Sequence, residues 1–248
     1  MARAVVPHPV RHAVRRRVDT LQELRDLPRR LERLETLMLE SHDRIHERSR
    51  RRWSTVEPDV ELTFGRSLTG DAFIAKAAEA GAFGAGRTVL EIGPGYGRLL
   101  DAALRQGAEF ERWIGVDISP KNVAYLQERF GHDPRLTFIN SDAETVTLEA
   151  EVDTILSSLT LKHLYPSFEA ALSHNASHLR PSGRIVIDLI EGSRRYFEDD
   201  GETYIRWYTR DEVREVFEGG GCEVTRFGLV EHDPDHRRLL VVGQRTTG

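Results

Sequence analysis

The chain has 248 residues, of which 39% are hydrophobic and 30% charged, and its formal net charge is −5. This size fits one full α/β domain with a modest additional element, and the acidic charge disfavours a surface devoted to nucleic acid. The single cysteine, Cys222, excludes an internal disulfide and a cysteine-based metal site. With no long apolar run and no apolar leader, the sequence predicts a soluble, cytoplasmic protein without a membrane span.

The first 60 residues are predicted to form an arginine-rich helical arm. Residues 1–52 carry 14 Arg against eight Asp or Glu, and the stretch 1–18 lacks periodicity, which predicts disorder. Apolar residues then recur at seven-residue spacing and predict a helix over 21–47. These residues are Leu24, Leu31, Met38 and Ile45. The pattern leaves three roles open: packing on its own domain, acting as a lid, or forming a homodimer.

Strand and helix patterns alternate through residues 61–248, which are predicted to form the main domain. The predicted strands are Thr88–Ile92, Trp113–Asp117, Leu136–Asn140, Asp153–Ser158, Arg184–Ile190, Glu223–Val230 and Arg237–Gly243. Helices between them begin at recognisable caps, Ser119 before Pro120 and Thr209 with Glu212. A further helix is predicted over Phe168–Leu179, followed by a turn. This alternation predicts an α/β fold with a doubly wound seven-stranded sheet, mostly parallel, whose C-terminal hairpin adds an antiparallel strand.

The first predicted strand leads into a glycine-rich turn and then a helix. Gly93, Gly95 and Gly97 let the backbone turn sharply and approach a ligand closely. A dinucleotide fingerprint would need glycine where the chain has Arg98. The turn therefore predicts a nucleotide-like ligand, although its glycine spacing differs from that of a dinucleotide site.

An acid followed by this glycine spacing, Glu91 and then Gly93-x-Gly95-x-Gly97, resembles the cofactor-binding turn of class I S-adenosylmethionine-dependent methyltransferases. The resemblance implies S-adenosylmethionine as cofactor, S-adenosylhomocysteine as product, and Glu91 near the methionine ammonium. It also implies that Asp117 binds the ribose hydroxyls and Asp142 the adenine amino group. The full predicted cofactor set is Glu91, Gly93, Gly95, Gly97, Asp117, Ile118, Asp142, Ala143 and Ser158.

The segment after the fourth predicted strand resembles a Leu-His-His-Leu-Pro-like segment that many class I enzymes place beside the sulfonium. His163 matches its second histidine, and Lys162 replaces the first. Methyl transfer to a hydroxyl also requires removal of a proton, for which histidine has a suitable pKa. His163 is therefore predicted to be the general base, with a helix cap or a packing role as the alternative.

The methyl acceptor is predicted to lie against the segments that follow strands five and six. These segments are rich in aromatic residues, Arg and His, which suit a sugar or a phenolic molecule. The predicted acceptor residues are Tyr196, Tyr204, Trp207, His232 and His236. The last two stand in a polar hairpin turn, for which no metal is predicted.

These features predict methyl transfer to a hydroxyl of a small molecule such as a sugar, glycan or natural product. Two alternatives stay open at this point. One is N-methylation of a small amine, which can lose its proton after transfer. The other is methylation of nucleic acid held by the basic arm. A non-catalytic protein that kept the fold is disfavoured by the intact set Glu91, Asp117 and Asp142.

Overall fold

A computed structural model describes residues 31, 33–34, 37–56, 68–233 and 237–246. Among these, the residues up to Glu47 form one compact unit and those from Arg48 onward form a second. The first unit is helical over residues 37–47, within the predicted helix. Residues 48–56, which the sequence assigned to the arm, belong to the second unit. The predicted disorder at 1–18 lies outside the described residues.

The second unit alternates strands and helices as predicted. Its elements are α1 Asp71–Glu79, β1 Thr88–Ile92, α2 Arg98–Arg105, β2 Arg112–Asp117, α3 Pro120–Phe130, β3 Leu136–Asn140, β4 Val152–Ser157, a 3-10 turn Leu161–His163, α4 Glu169–Ala176, β5 Leu179–Leu189, β6 Arg195–Phe197, β7 Tyr204–Arg206, α5 Arg210–Gly219, β8 Cys222–Glu231 and β9 Arg237–Arg245. Seven strands form one sheet in the order β3-β2-β1-β4-β5-β9-β8. Strand β9 is antiparallel to both neighbours, and the pairs from β3 to β5 are parallel. The predicted fold class is confirmed.

The sheet is buried on both faces, as the apolar runs of its central strands require. Leu90 of β1 belongs to a core cluster that includes residues of α4 and α5, such as Phe217. Val89, its neighbour along the same strand, belongs to the cluster on the opposite face, with Phe73 of α1 and Leu99 of α2. The alternation along β1 therefore anchors the strand between two helical layers and fixes the position of the turn that follows it.

Two predicted helix starts are confirmed in atomic detail. Ser119 precedes α3, and its hydroxyl oxygen accepts a hydrogen bond from the Asn122 N–H at 3.2 Å. Thr209 and Glu212 form the reciprocal capping box of α5. Because both caps directly follow segments at the carboxyl edge of the sheet, they also fix the loops that border the candidate site.

The structure differs from the prediction around β5. Helix α4 ends at Ala176, and β5 begins at Leu179, five residues before the predicted start. The residues predicted as a turn, 181–183, lie within this strand, and its pairing with β4 shifts register there. Ser182 has a φ of 60°. The turn-forming residues therefore produce an irregularity within the strand instead of a loop.

The aromatic insertion after β5 contains a short hairpin that the sequence did not predict. Strands β6 and β7 pair antiparallel as a separate two-stranded sheet. The C-terminal hairpin of β8 and β9 was predicted and is confirmed. Over the ranges that the structure describes, none of the helices is long and apolar enough to cross a membrane.

Candidate functional site

The turn between β1 and α2 requires its glycines. Gly93, Gly95 and Gly97 have φ angles of 69°, 57° and 87°, all in the left-handed region that other residues avoid. A Cβ at Gly93 would lie 2.3 Å from Cγ2 of Thr160, in the loop after β4. A Cβ at Gly97 would lie 2.7 Å from the Phe130 ring. The turn is thus packed closely against α3 and the β4 loop.

Asp117, at the end of β2, fastens the glycine turn to the next loop. Its Oδ2 accepts the Gly95 N–H at 2.9 Å, and its Oδ1 accepts the Ser119 N–H at 2.9 Å and the Asn122 amide at 3.2 Å. Burial raises the pKa of Asp117 although these donors oppose the rise. Asn140 at the end of β3 donates to the Ile118 carbonyl at 3.0 Å. The sequence-predicted pair Asp117 and Ile118 therefore lies between the ends of β1 and β3.

Glu91 is the second-last residue of β1 and is buried just before the turn. Its Oε2 accepts a hydrogen bond from the Trp113 indole at 3.0 Å. Burial raises the pKa of Glu91 to about 7, and the Asp117 carboxylate acts in the same direction, whereas Trp113 and Arg98 oppose the rise. The group thus titrates near neutral pH. Its predicted contact with a ligand ammonium stays a prediction.

Asp142, after β3, is held by two donors. Its Oδ1 accepts the Glu144 N–H at 2.7 Å, and its Oδ2 lies 2.6 Å from Nε of Arg50. The neighbouring Ala143 carbonyl accepts a hydrogen bond from the Asn175 amide of α4 at 2.6 Å. The predicted adenine-binding loop is therefore ordered by contacts from both α4 and the segment 48–56.

Residues 48–56, here called the N-terminal strap, contact the loops after β2, β3 and β4. Arg50 binds Asp142, and the Val56 carbonyl accepts a hydrogen bond from the Ser119 hydroxyl at 2.9 Å. Between these two contacts, the Trp53 ring lies 4.3 Å from the His163 ring. Sequence reasoning missed this role, and the only signal was an aromatic residue directly after an arginine run.

His163 lies in the 3-10 turn after β4, and its environment fixes its protonation. Its Nδ1 lies 2.9 Å from the Tyr204 carbonyl oxygen, which can only accept, so Nδ1 carries the proton and Nε2 the lone pair. Burial lowers the pKa of His163 well below its usual value, and the neighbouring Lys162 and Arg52 charges act in the same direction. The imidazole is therefore neutral at physiological pH.

A buried carboxylate, Asp188 of β5, joins the loop after β4 to the segment after β8. Its Oδ2 accepts the Ser158 hydroxyl at 2.5 Å and lies 2.9 Å from Nε2 of His232, and its Oδ1 accepts the Leu159 N–H at 2.8 Å. Arg98 of α2 donates to the same Ser158 hydroxyl at 2.7 Å. The sequence analysis missed Asp188, although a single acid inside the apolar run of β5 is a detectable signal.

The predicted acceptor residues are not all brought together. Tyr196 is 39% exposed and borders an open cavity of about 460 Å³ that is lined by residues 196–200. Tyr204 is buried, and its hydroxyl donates to the Pro166 carbonyl at 3.2 Å. Trp207 lies under the Arg194 guanidinium at 5.3 Å. His232 is bound to Asp188, and His236 lies outside the described residues.

Comparison with known proteins agrees with this geometry. Residues 89–183, from β1 into β5, match the family described as "Methyltransferase domain". This match covers the glycine turn, Asp117, Asp142 and His163. Over residues 89–183 the chain is therefore similar to a methyltransferase domain, and solved S-adenosylmethionine-dependent methyltransferases share its fold.

One curated relative shows how much of the chain is similar in sequence to a known protein. A curated Mycobacterium ulcerans protein, named probable phthiotriol/phenolphthiotriol dimycocerosates methyltransferase 2, is 30% identical over 98 residues. Those residues are 40% of this chain and 37% of the relative, so the chain spans little more than a third of that relative's length.

Solved structures share the fold at lower identity. The 1,6-didemethyltoxoflavin-N1-methyltransferase of Burkholderia thailandensis superposes with a TM-score of 0.56 at 21% identity, covering 99% of this chain and 94% of that chain. CalS10 of Micromonospora echinaspora, an amino pentose methyltransferase, gives 0.55 at 20% identity, covering 73% of this chain and 94% of that chain. Both likenesses support the fold alone.

Proposed function

We propose that this methyltransferase domain transfers a methyl group from S-adenosylmethionine to a small molecule and releases S-adenosylhomocysteine. The observation that carries the proposal is the hydrogen bond from the Gly95 N–H to Asp117 at 2.9 Å. It sets the close-approach turn after β1 beside an acid after β2, where a ribose can bind both. Ligands of open α/β sheets bind at this edge.

The acceptor in this proposal is a small molecule with a hydroxyl group. The supporting feature is His163, whose Nε2 lone pair can accept a hydrogen bond from the hydroxyl in front of the methyl group. The general-base role of His163 stays a prediction. The charges of Lys162 and Arg52 would destabilise an imidazolium at this position, because they lower the pKa of His163. A small amine is the alternative acceptor, and the two solved relatives bear names that include N-methylation or an amino sugar.

Methylation of nucleic acid is the less favoured proposal. Two arginines of the basic run already bind acids of the domain, Arg50 with Asp142 and Arg52 with Asp200 at 3.5 Å. A nucleic-acid substrate would require such charges for phosphates, and its binding would weaken steeply with salt. Substrate binding that changes little between low and moderate salt would support the small-molecule proposal.

Titration calorimetry with S-adenosylhomocysteine tests the cofactor assignment. We expect the wild-type chain to bind, and Asp117→Asn to bind about tenfold or more weakly, because a ribose hydroxyl loses a charged acceptor. Asp133→Asn is the matched control, since Asp133 pairs with Arg135 at the surface. Failure of the wild-type chain to bind at millimolar cofactor would refute the proposed function.

A second measurement addresses His163. In a direct turnover assay we expect His163→Gln to lower kcat while the affinity for S-adenosylhomocysteine changes less than about twofold, because in this proposal the ring contacts the acceptor and not the cofactor. His174→Gln serves as control, since His174 also has a ring nitrogen on a backbone carbonyl, that of Val146 at 2.6 Å. Equal kcat values for both variants would remove His163 from the reaction.

A further inference from the structure

His232 and Asp188 form a buried pair at the carboxyl edge of the sheet. His232 directly follows β8, and Asp188 is the second-last residue of β5. Their side chains are 0% and 1% exposed, with Nε2 of the imidazole 2.9 Å from Oδ2 of the carboxylate. The pair is thus shielded from bulk water and in direct contact.

The hydrogen bonds of Asp188 determine which nitrogen of His232 carries the proton. The bonds from His232, Ser158 and the Leu159 N–H hold the pKa of Asp188 below its usual value despite its burial. An ionised carboxylate only accepts, so His232 must donate from Nε2. Its Nδ1 then presents a lone pair, and this buried atom has no hydrogen-bond partner among the residues that the structure describes.

The pair is connected to the cofactor turn by short contacts. Ser158, which donates to Asp188, accepts a hydrogen bond from Arg98 at the first residue of α2. Two residues further on, the Thr160 hydroxyl donates to the Gly93 carbonyl at 3.1 Å. One loop after β4 therefore contacts both the glycine turn and Asp188, so the pair is connected to the glycine turn through that loop.

We propose that His232 Nδ1 is the proton acceptor of the methyl-transfer reaction and that Asp188 is its positioning residue. This proposal rests on the proposed function. The acceptor oxygen uses a lone pair to form the bond to the methyl carbon, while the carbon–sulfur bond breaks and its electron pair stays on sulfur. The hydroxyl proton passes to His232 Nδ1, and the imidazolium releases it to water that enters once the methylated product has left the site.

The two histidines of the site differ in what would stabilise an imidazolium. Asp188 gives His232 a carboxylate at 2.9 Å, whereas His163 faces a carbonyl oxygen and the charges of Lys162 and Arg52. A general base needs a stabilised conjugate acid. The other charged groups around Asp188 and His232 are Lys162, Arg98, Arg238 and Asp233. The geometry therefore divides the work, with His163 orienting the acceptor and His232 taking its proton.

Nitrogen NMR of the histidine rings in the full chain with S-adenosylhomocysteine tests the tautomer. We expect the ring of neutral His232, identified by its loss in His232→Gln, to carry its proton on Nε2 and a lone pair on Nδ1. Asp188→Asn should mix the two tautomers, because an amide can donate or accept. A proton on Nδ1 of the neutral ring would overturn the proposal without any acceptor being known.

A turnover assay adds a second test, with catechol and methyl glucoside as hydroxyl probes. His232→Gln keeps a donor toward Asp188 and lacks Nδ1, so we expect about a 100-fold loss of kcat with unchanged S-adenosylhomocysteine affinity. His174→Gln should keep wild-type kcat, and equal rates in both variants would contradict the proposal. If the wild-type chain does not bind S-adenosylhomocysteine, the proposed function fails; if it binds and the tautomer is reversed, only this inference fails.

Discussion

At the scale of single residues, two glycines with a positive φ differ in how closely they are packed. Comparing their alanine variants separates the free-energy cost of the left-handed backbone from the cost of crowding. Gly97 and Gly107 have φ angles of 87° and 68°. A Cβ at Gly97 would meet Phe130 at 2.7 Å and Leu126 at 2.9 Å, whereas one at Gly107 meets nothing within 4 Å. The cofactor turn is therefore constrained by its neighbours as well as by its own geometry.

Urea unfolding of the two alanine variants measures this difference. We expect Gly107→Ala to lower the free energy of unfolding by about 1 kcal/mol through left-handed strain alone. Gly97→Ala should cost a further 1–3 kcal/mol or so, because Phe130 and Leu126 must move. Equal losses in the two variants would show that α3 yields freely to the added methyl group.

Glu91 gives the protein a pH dependence that can be measured by itself. Its pKa is raised by burial to about 7 in the folded state, from a model-peptide value of 4.5. A carboxyl whose pKa is raised on folding stabilises the fold at low pH, and this contribution is lost as the pH rises from about 4.5 to 7. Above that window the charged group opposes folding by a constant amount.

Glu91→Gln removes this charge and keeps an acceptor for Trp113. We expect the free energy of unfolding of the wild-type chain to fall by about 3 kcal/mol relative to the variant between pH 4.5 and 7. Denaturant titrations at several pH values provide the measurement. A constant difference between the two proteins across this range would contradict the burial argument.

At the scale of elements, the sequence predicts those strands whose own residues carry an apolar run and a turn signal. The apolar run of β1 and the acid that ends β2 were both located within a residue, because period and turn signals lie in the segment itself. The hairpin of β6 and β7 was missed, since each strand has three residues and its aromatic side chains also suit a binding loop. The early start of β5 was missed because pairing with β4 overrides turn-forming residues.

Contacts between distant segments account for the part of the site that the sequence did not predict. The helical spacing around Arg50 and Trp53 indicates nothing about Asp142 or His163, which lie about a hundred residues further along the chain. Nor does a single strand pattern pair Asp188 with His232. These contacts arise because the sheet order brings the loops after β2, β3, β4, β5 and β8 to one edge.

The N-terminal strap offers a test at the same scale. Arg50 binds Asp142 with an Nε–Oδ2 distance of 2.6 Å, whereas Arg51 is exposed. We expect Arg50→Ala to speed S-adenosylhomocysteine dissociation about threefold to tenfold, since a partly buried ion pair fastens the strap to the loop predicted to bind the adenine. Arg51→Ala is the matched control. Stopped-flow tryptophan fluorescence reports the rate, and identical rates would show that the strap does not retain the cofactor.

The whole molecule divides at a boundary that differs from the sequence-based one. The arm was predicted to end at residue 60, yet the compact second unit begins at Arg48 and includes the strap. This difference has a physical reason, since Arg50, Trp53 and Val56 each contact a loop of the sheet. A truncation at residue 60 would therefore remove contacts of the candidate site, whereas one at residue 47 would leave them intact.

Removal of residues 1–47 tests both the boundary and the predicted homodimer. In the first unit, Leu31, Leu34 and Met38 are 52%, 55% and 72% exposed at the three- and four-residue spacing of one helix face. Burying such a face in a second copy would remove this apolar surface from water, as the heptad pattern predicts. We expect the full chain to be a dimer by light scattering, and the 48–248 chain to be a monomer that keeps its affinity for S-adenosylhomocysteine within about twofold. A monomeric full chain would refute the dimer, while a truncated chain that loses cofactor binding would show that the second unit depends on the first.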